Sequence, residues 1–147
     1  MITFTEITES NKGECITLSV FPEQKGFVAA NIDSLAEAKE NPGMIPLGIS
    51  KDDKLIGFAM YGYSTTENKS WIIRFMIDKA YQKQGFGKEA LSKLIDLLFE
   101  KHPQADIRLC VEPENIVATR FYENFGFAYT GEKWDNELIY ELKNTDN

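Results

Sequence analysis

The 147 residues (16.8 kDa), 43% hydrophobic and 12% aromatic, suffice for one compact domain and are too few for two independent ones. With 23 Asp+Glu against 16 Lys+Arg, the net charge of −7 repels phosphate backbones and anionic lipid, which argues against nucleic-acid and membrane partners and permits cationic ligands. The two cysteines, Cys15 and Cys110, lie far apart and His102 is the sole histidine, so reduced core cysteines are expected, with no disulfide framework, thiolate cluster or multi-histidine metal site.

The chain opens with Ile2, Phe4 and Ile7 in a Thr-rich stretch that reads as a strand. It carries no basic patch followed by an apolar run, and no stretch reaches the roughly 18 apolar residues of a membrane span, so a cytoplasmic protein is expected. A short helix is predicted from about Asn11 to Val20, interrupted by Pro22 and Gly26. A second helix is predicted from Phe27 to Glu40 and ends at Asn41-Pro42-Gly43. The apolar runs Ile45–Ser50 and Leu55–Tyr63 flank Lys51-Asp52-Asp53-Lys54, a hairpin signal, and Trp71–Ile77 follows the polar turn Ser64–Ser70 as a third strand. Ala90, Leu91, Leu94, Ile95 and Leu98 then recur at helical spacing up to His102-Pro103, where a cation suits the helix C-terminus. Ile107–Val111 reads as a strand and Asn115–Phe125 as a helix stopped by Gly126. Phe127–Tyr129 and Leu138–Leu142 read as a closing hairpin across Gly131–Asn136, with a frayed tail over 144–147. The expected order is β-α-α-β-β-β-α-β-α-β-β in an α/β (α+β) domain spanning 1–147.

The segment from Asp78 to Ala90 lies between a strand and the longest helix. Gly85 and Gly87, one residue apart, allow a sharp turn that presents amide N–H groups beside a helix N-terminus, the physical recipe for holding a phosphate; the same glycines also suit a plain strand-to-helix turn. A Walker loop is excluded because Gln82 stands where its first glycine belongs and Glu89 replaces its Ser/Thr. Gly85-Phe86-Gly87-Lys88-Glu89-Ala90 matches a dinucleotide fingerprint, but the residues from Asp78 to Gln84 separate it from the strand end, where that fold places its first glycine.

Gln82-x-x-Gly85-x-Gly87 resembles the Q/R-x-x-G-x-G/A signature of the GNAT superfamily of acetyl-CoA-dependent N-acetyltransferases. A second motif, from Asn115 through Ala118 and Tyr122 to Gly126-Phe127, resembles that family's N-x-x-A-x-x-x-Y-x-x-x-G-F. The resemblance covers roughly Ile45 to Leu142 and implies a mixed, mostly antiparallel central sheet flanked by helices and splayed around the cofactor. It also implies that the backbone of Phe75, Met76 and Ile77 bonds the pantetheine arm of acetyl-CoA as an added strand. The loop Lys83, Gln84, Gly85, Phe86, Gly87 and Lys88 would then cradle the pyrophosphate without a metal. Asn115 would bond the cofactor, serve as a helix N-cap, or do both.

Tyr122 matches the family's usual general acid, able to give the departing thiolate a proton; the alternative is an aromatic patch of Phe121, Tyr122 and Phe125 against the sheet. The base has no clear carry-over: Ile73 and Arg74 occupy places where some members carry acidic residues, and Glu112 is a substitute that a solvated turn explains equally. Segments Ile45–Gly62 and Trp71–Tyr81 resemble the bacterial spermine/spermidine branch, which implies a small-molecule polyamine acceptor, with Glu23, Gln24, Phe27, Asn31 or Glu37 near the amine. A protein N-terminus, a lysine, another small amine, or a non-catalytic acetyl-CoA-binding module are the alternatives, and a homodimer is the expected assembly.

Overall fold

The computed structural model describes residues 1–144; 145–147, most of the tail predicted to fray, lie outside the described residues. Asn144 is tied down, its backbone N–H donating to Asp106 Oδ1 at 3.4 Å and its Nδ2 to the Pro103 carbonyl at 3.0 Å.

The elements are β1 (Ile2–Glu6), α1 (Lys12–Thr17), α2 (Asn31–Glu40), β2 (Ile45–Lys51), β3 (Lys54–Ser64), β4 (Lys69–Ile77), α3 (Phe86–Lys101), β5 (Asp106–Val111), α4 (Ile116–Glu123), β6 (Ala128–Trp134) and β7 (Glu137–Leu142). Short 3₁₀ turns at Pro22–Gln24 and Lys79–Tyr81 are added to the expected order. The strands form a seven-stranded sheet in the order β1-β2-β3-β4-β5-β7-β6. β1·β2, β2·β3, β5·β7 and β6·β7 are antiparallel, whereas β4·β5 is parallel over Lys69↔Asp106, Ser70↔Ile107 and Trp71↔Arg108. Among the described residues, no helix is long and apolar enough to cross a membrane.

The chain divides into two compact units, Met1–Gly62 with Ile73–Lys93, and Tyr63–Ile72 with the chain from Leu94 onward, so β4 and α3 each run through both. In the first unit Leu55, Phe58 and Met60 of β3 pack with Met76 of β4, Cys15 of α1, Val20 and Leu35 of α2. In the second, Leu94 and Leu98 of α3, Ile107, Leu109 and Val111 of β5, and Ile139 and Tyr140 of β7 are buried. The helical repeat read in α3 is the buried face: Ala90, Leu91, Leu94, Ile95 and Leu98 are each 9% exposed or less. Burial pushes both free thiols, Cys15 and Cys110, up to about 11, which keeps them protonated and unreactive at neutral pH.

Three boundaries differ from the sequence expectation, each for a tertiary reason. α1 stops at Thr17 because Ser19 is drawn out of helical pairing: its N–H donates to Asp78 Oδ1 and its carbonyl accepts from Lys79 N–H, both at 2.8 Å. α2 begins at Asn31, not Phe27, and the Asn31 Nδ2 donates to the Cys15 carbonyl at 2.9 Å, fixing that start against α1. β6 extends to Trp134, because Gly131 (φ +90) lies in the irregularity between Tyr129 and Lys133, and the reversal falls on Asp135 (φ +58) and Asn136. The first hairpin turns where expected, with Asp52 and Asp53 both at positive φ between paired Lys51 and Lys54.

Candidate active site

The first unit builds a tight turn between β4 and α3. Asp78 anchors it: its N–H donates to the Ile56 carbonyl at 2.7 Å, Oδ1 accepts from Ser19 N–H, and Oδ2 accepts from Ala80 N–H at 3.1 Å to cap the Lys79–Tyr81 turn. Lys83 (φ +64) and Gly85 (φ +86) then reverse the chain into α3, whose first carbonyl acceptor is Gly85 O, bonded by Glu89 N–H at 3.2 Å. The amides of Phe86, Gly87 and Lys88 therefore have no carbonyl within the helix to bond, and they sit at the positive end of a 16-residue helix. Lys83, Gln84, Gly85 and Lys88 are exposed while Gln82, Phe86 and Gly87 are half-buried. Gln84 Nε2 donates to the Ala80 carbonyl at 3.3 Å, bracing the turn from within.

Two features of this turn had no sequence signal. Lys51, read only as part of a hairpin, places Nζ 5.4 Å from the centroid of the Phe86 ring, and the Tyr81 ring lies 6.5 Å from the same ring. Gln82 forms a reciprocal carboxamide pair with Gln24, at 3.1 and 3.0 Å, and donates to the Ile77 carbonyl at 2.9 Å.

On β4 itself Phe75 is half-buried, and Met76 and Ile77 are buried. Gly57 of β3 approaches the Met76 and Ile77 backbone so closely that a Cβ there would strike the Met76 carbonyl. Of the residues expected near an amine, Asn31 is buried between α1 and Met76, Gln24 is engaged with Gln82, and Glu37 pairs with Arg74, Oε2 to Nη2 at 3.1 Å. Glu23 and Phe27 are exposed. Arg74 thus places a guanidinium where a base was sought, and its Nε is buried with no hydrogen-bond partner among the described residues.

The second unit holds the other motif. Asn115 caps α4, its Oδ1 accepting from Ala118 N–H at 3.3 Å and its carbonyl from Thr119 N–H and Oγ1 at 3.0 Å each. Ala118 is half-buried. The Tyr122 carbonyl accepts from Phe125 N–H at 3.0 Å and Phe127 N–H at 3.3 Å, and its ring meets Phe121 and Phe127 edge-on at 5.4 and 5.8 Å. The aromatic patch is therefore real, and desolvation within it pushes the Tyr122 phenol up to about 12. Glu112 opens the turn before α4, its carbonyl accepting from Asn115 N–H at 2.9 Å. His102 stacks on Tyr63 with ring centroids 3.7 Å apart. Among the described residues, no three of His, Cys, Asp and Glu are gathered as a metal would require.

The family described as "Acetyltransferase (GNAT) family" matches residues 4–127. The chain belongs to the GNAT acetyltransferases. Its Bacillus subtilis (strain 168) relative, a "Spermine/spermidine N(1)-acetyltransferase", is 35% identical over 137 residues, covering 89% of this chain and 90% of that protein. A "Probable spermine N(1)-acetyltransferase" from Bacillus subtilis subsp. natto (strain BEST195) is 36% identical over the same shares. The GNAT fold is found again in a solved PaiA N-acetyltransferase from Thermoplasma acidophilum in complex with coenzyme A, with a TM-score of 0.73 at 20% identity over 97% of this chain and 99% of that one. This acetyltransferase thus has its family's mixed, mostly antiparallel sheet, the fold that the two sequence motifs implied.

Proposed function

We propose that the chain acts as one acetyltransferase domain, transferring an acetyl group from acetyl-CoA to a primary amine of a polyamine such as spermidine or spermine. The observation that carries the cosubstrate is the turn from Lys83 to Lys88, with two left-handed residues feeding the start of a long helix flanked by Lys83 and Lys88. An anion at a helix start gains about 0.3–1 kcal/mol, up to about 2 where partly buried, and the unbonded amides there can hydrogen-bond a pyrophosphate without a metal. The pantetheine arm is assigned to the β4 backbone at Phe75, Met76 and Ile77; the parallel ladder to β5 takes up just the Lys69–Trp71 end of that strand. Asn115 and Ala118 are assigned to the cofactor from the motif that they share with Tyr122. The polyamine is supported by the relatives named for spermine and spermidine and by the net charge of −7.

In this reading the neutral amine attacks the thioester carbonyl. The C–N bond forms, the C–S bond breaks, and the proton lost by nitrogen ends on the CoA sulfur. A phenol near 12 beside a thiol of about 8.5 gives up its proton uphill by roughly 5 kcal/mol, so Tyr122 acts as a relay, donating to sulfur while it is resupplied from the amine side. An alkylammonium of pKa about 10.4 costs roughly 4–5 kcal/mol to deprotonate at pH 7, so kcat/KM rises with pH.

The test is kcat/KM for spermidine against a monoamine of similar length and against peptide amines. A clear preference for spermidine, with KM climbing as salt rises from about 0.1 to 1 M and the Debye length shrinks from about 10 to 3 Å, supports the polyamine reading. Comparable values overturn the polyamine and keep the acetyltransferase. Better turnover of a peptide makes the chain a protein acetyltransferase, and acetyl-CoA binding without turnover makes it a binding module.

A further inference from the structure

Between α1 and α2 the chain crosses to the turn between β4 and α3 and is bonded to it at three points. The Ser19 N–H meets Asp78 Oδ1, the Ser19 carbonyl meets Lys79 N–H, and the Gln24 carboxamide pairs with Gln82, 58 residues away in sequence. Gln24 is fixed before it reaches Gln82. Pro22 opens its 3₁₀ turn, Gln24 N–H donates to the Phe21 carbonyl at 2.9 Å, and Phe21 N–H donates back to Gln24 Oε1 at 3.1 Å.

The two carboxamides can pair in one sense only. Phe21 N–H demands an acceptor, which makes the near atom of Gln24 an oxygen, and the Ile77 carbonyl demands a donor, which makes the near atom of Gln82 a nitrogen. With both senses set by backbone, the reciprocal bonds between Gln24 and Gln82 follow, and neither partner changes charge with pH. Gln82 immediately precedes Lys83, whose left-handed backbone is sparsely populated for a residue with a side chain and persists where its surroundings over-determine it.

We infer that Gln24 is a positioning residue for the anion-binding turn, acting through Gln82 to hold the turn in the conformation that takes the phosphates. The inference rests on the acetyl-CoA reading above and adds a residue outside both sequence motifs. A pre-formed turn is not ordered at the moment of binding, so the strap acts on cosubstrate affinity rather than on the chemical step. Losing a pair of neutral hydrogen bonds is worth about tenfold in that affinity.

The experiment is a double-mutant cycle on the full chain with Gln24→Met and Gln82→Met, which keep side-chain length and remove the bonds. Acetyl-CoA affinity is read by calorimetry and by its KM, and the melting temperature is read without ligand. Gln24→Met should weaken acetyl-CoA about tenfold, move the amine KM and kcat at saturating acetyl-CoA less than threefold, and lower the unliganded melting temperature by a few degrees, since the same bonds hold the unliganded turn. In the Gln82→Met background the same change should weaken affinity less than twofold, because its partner is already gone. Gln24→Asn, one methylene short of Gln82, should behave like Gln24→Met and covers the case in which the thioether variant misfolds. Unchanged acetyl-CoA affinity in Gln24→Met, effects that multiply in the double variant, or a loss confined to kcat overturns the strap while acetyl-CoA binding by the wild type keeps the parent reading. A wild type that binds no acetyl-CoA defeats the parent reading and the strap with it.

Discussion

The N-terminal end of β4 is held by a cluster of ion pairs, and the turn that follows its C-terminal end is held by bonds to backbone groups and carboxamides. Lys69 reaches Glu141 at 2.8 Å and Asp106 at 3.3 Å, while Arg108 on the neighbouring strand reaches Glu141 at 2.8 Å and Glu132 at 3.2 Å. Burial alone would raise the Glu141 carboxyl, but its bonds from Lys69 and Arg108 win and hold it below the usual carboxylate range, while its bond also raises Lys69. At the other end, Ile77 and the turn after it are held by carboxamides and backbone, and the one carboxylate among those braces, Asp78, has each oxygen bonded to a backbone N–H. The contrast teaches where charge is useful in this fold. Ion pairs hold one end of the strand, whereas the turn after the other end is braced by backbone bonds, by carboxamides and by an Asp78 carboxylate whose two oxygens are already taken up by backbone N–H groups.

The largest effect should come from a change that touches neither end. Tyr122→Phe removes one hydroxyl, so turnover should fall on the order of 10²–10⁴-fold with the acetyl-CoA-induced thermal shift preserved. Since the phenol stays protonated up to about 12, wild-type kcat/KM should keep rising with pH through 10 instead of falling there, as a phenol of ordinary pKa would make it. Equal turnover in the variant would return Tyr122 to the aromatic patch alone.

Breaking the charged end comes next. Glu141→Gln leaves Lys69 and Arg108 with their outer partners Asp106 and Glu132, and should cost about 3 kcal/mol in denaturant unfolding. Because the folded pKa of Glu141 is lowered, its contribution is complete above the unfolded value of about 4.3 and disappears as pH falls through the folded value. Wild type should lose stability over that acid window, and the variant should lose less. High salt should narrow the gap between them.

At the C-terminal end, Gly57→Ala drives a methyl into the Met76 carbonyl and should cost about 2 kcal/mol, with acetyl-CoA affinity falling alongside as the end of β4 shifts. Retained stability would mean that β3 and β4 can separate there at no cost. The smallest change is Asn115→Ala, which removes the α4 cap and should cost about 1 kcal/mol of stability. An acetyl-CoA affinity loss beyond that would favour the cofactor role of Asn115 over the cap.

The order of elements, the buried face of α3, the Asp52-Asp53 hairpin and the cap at Asn115 were all legible in the sequence, because each depends on spacing within a few residues. The positions of Gln82 to Lys88 on a turn and helix start, and of Tyr122 on α4, followed from motifs in the same way. The end of α1, the late start of α2 and the length of β6 did not, because local propensity lost to bonds made by Ser19 and Asn31 and to a bulge at Gly131. Nor could the sequence show that Gln24 braces Gln82, that Lys51 lies over Phe86, or that Glu37 is paired with Arg74. Such partners stand tens of residues apart, and which of many polar side chains meet is decided when sheet and helices pack. Periodicity and turn chemistry act along the chain and can be read there, whereas hydrogen bonds and ion pairs between distant segments exist only once tertiary packing has brought their donors and acceptors within reach.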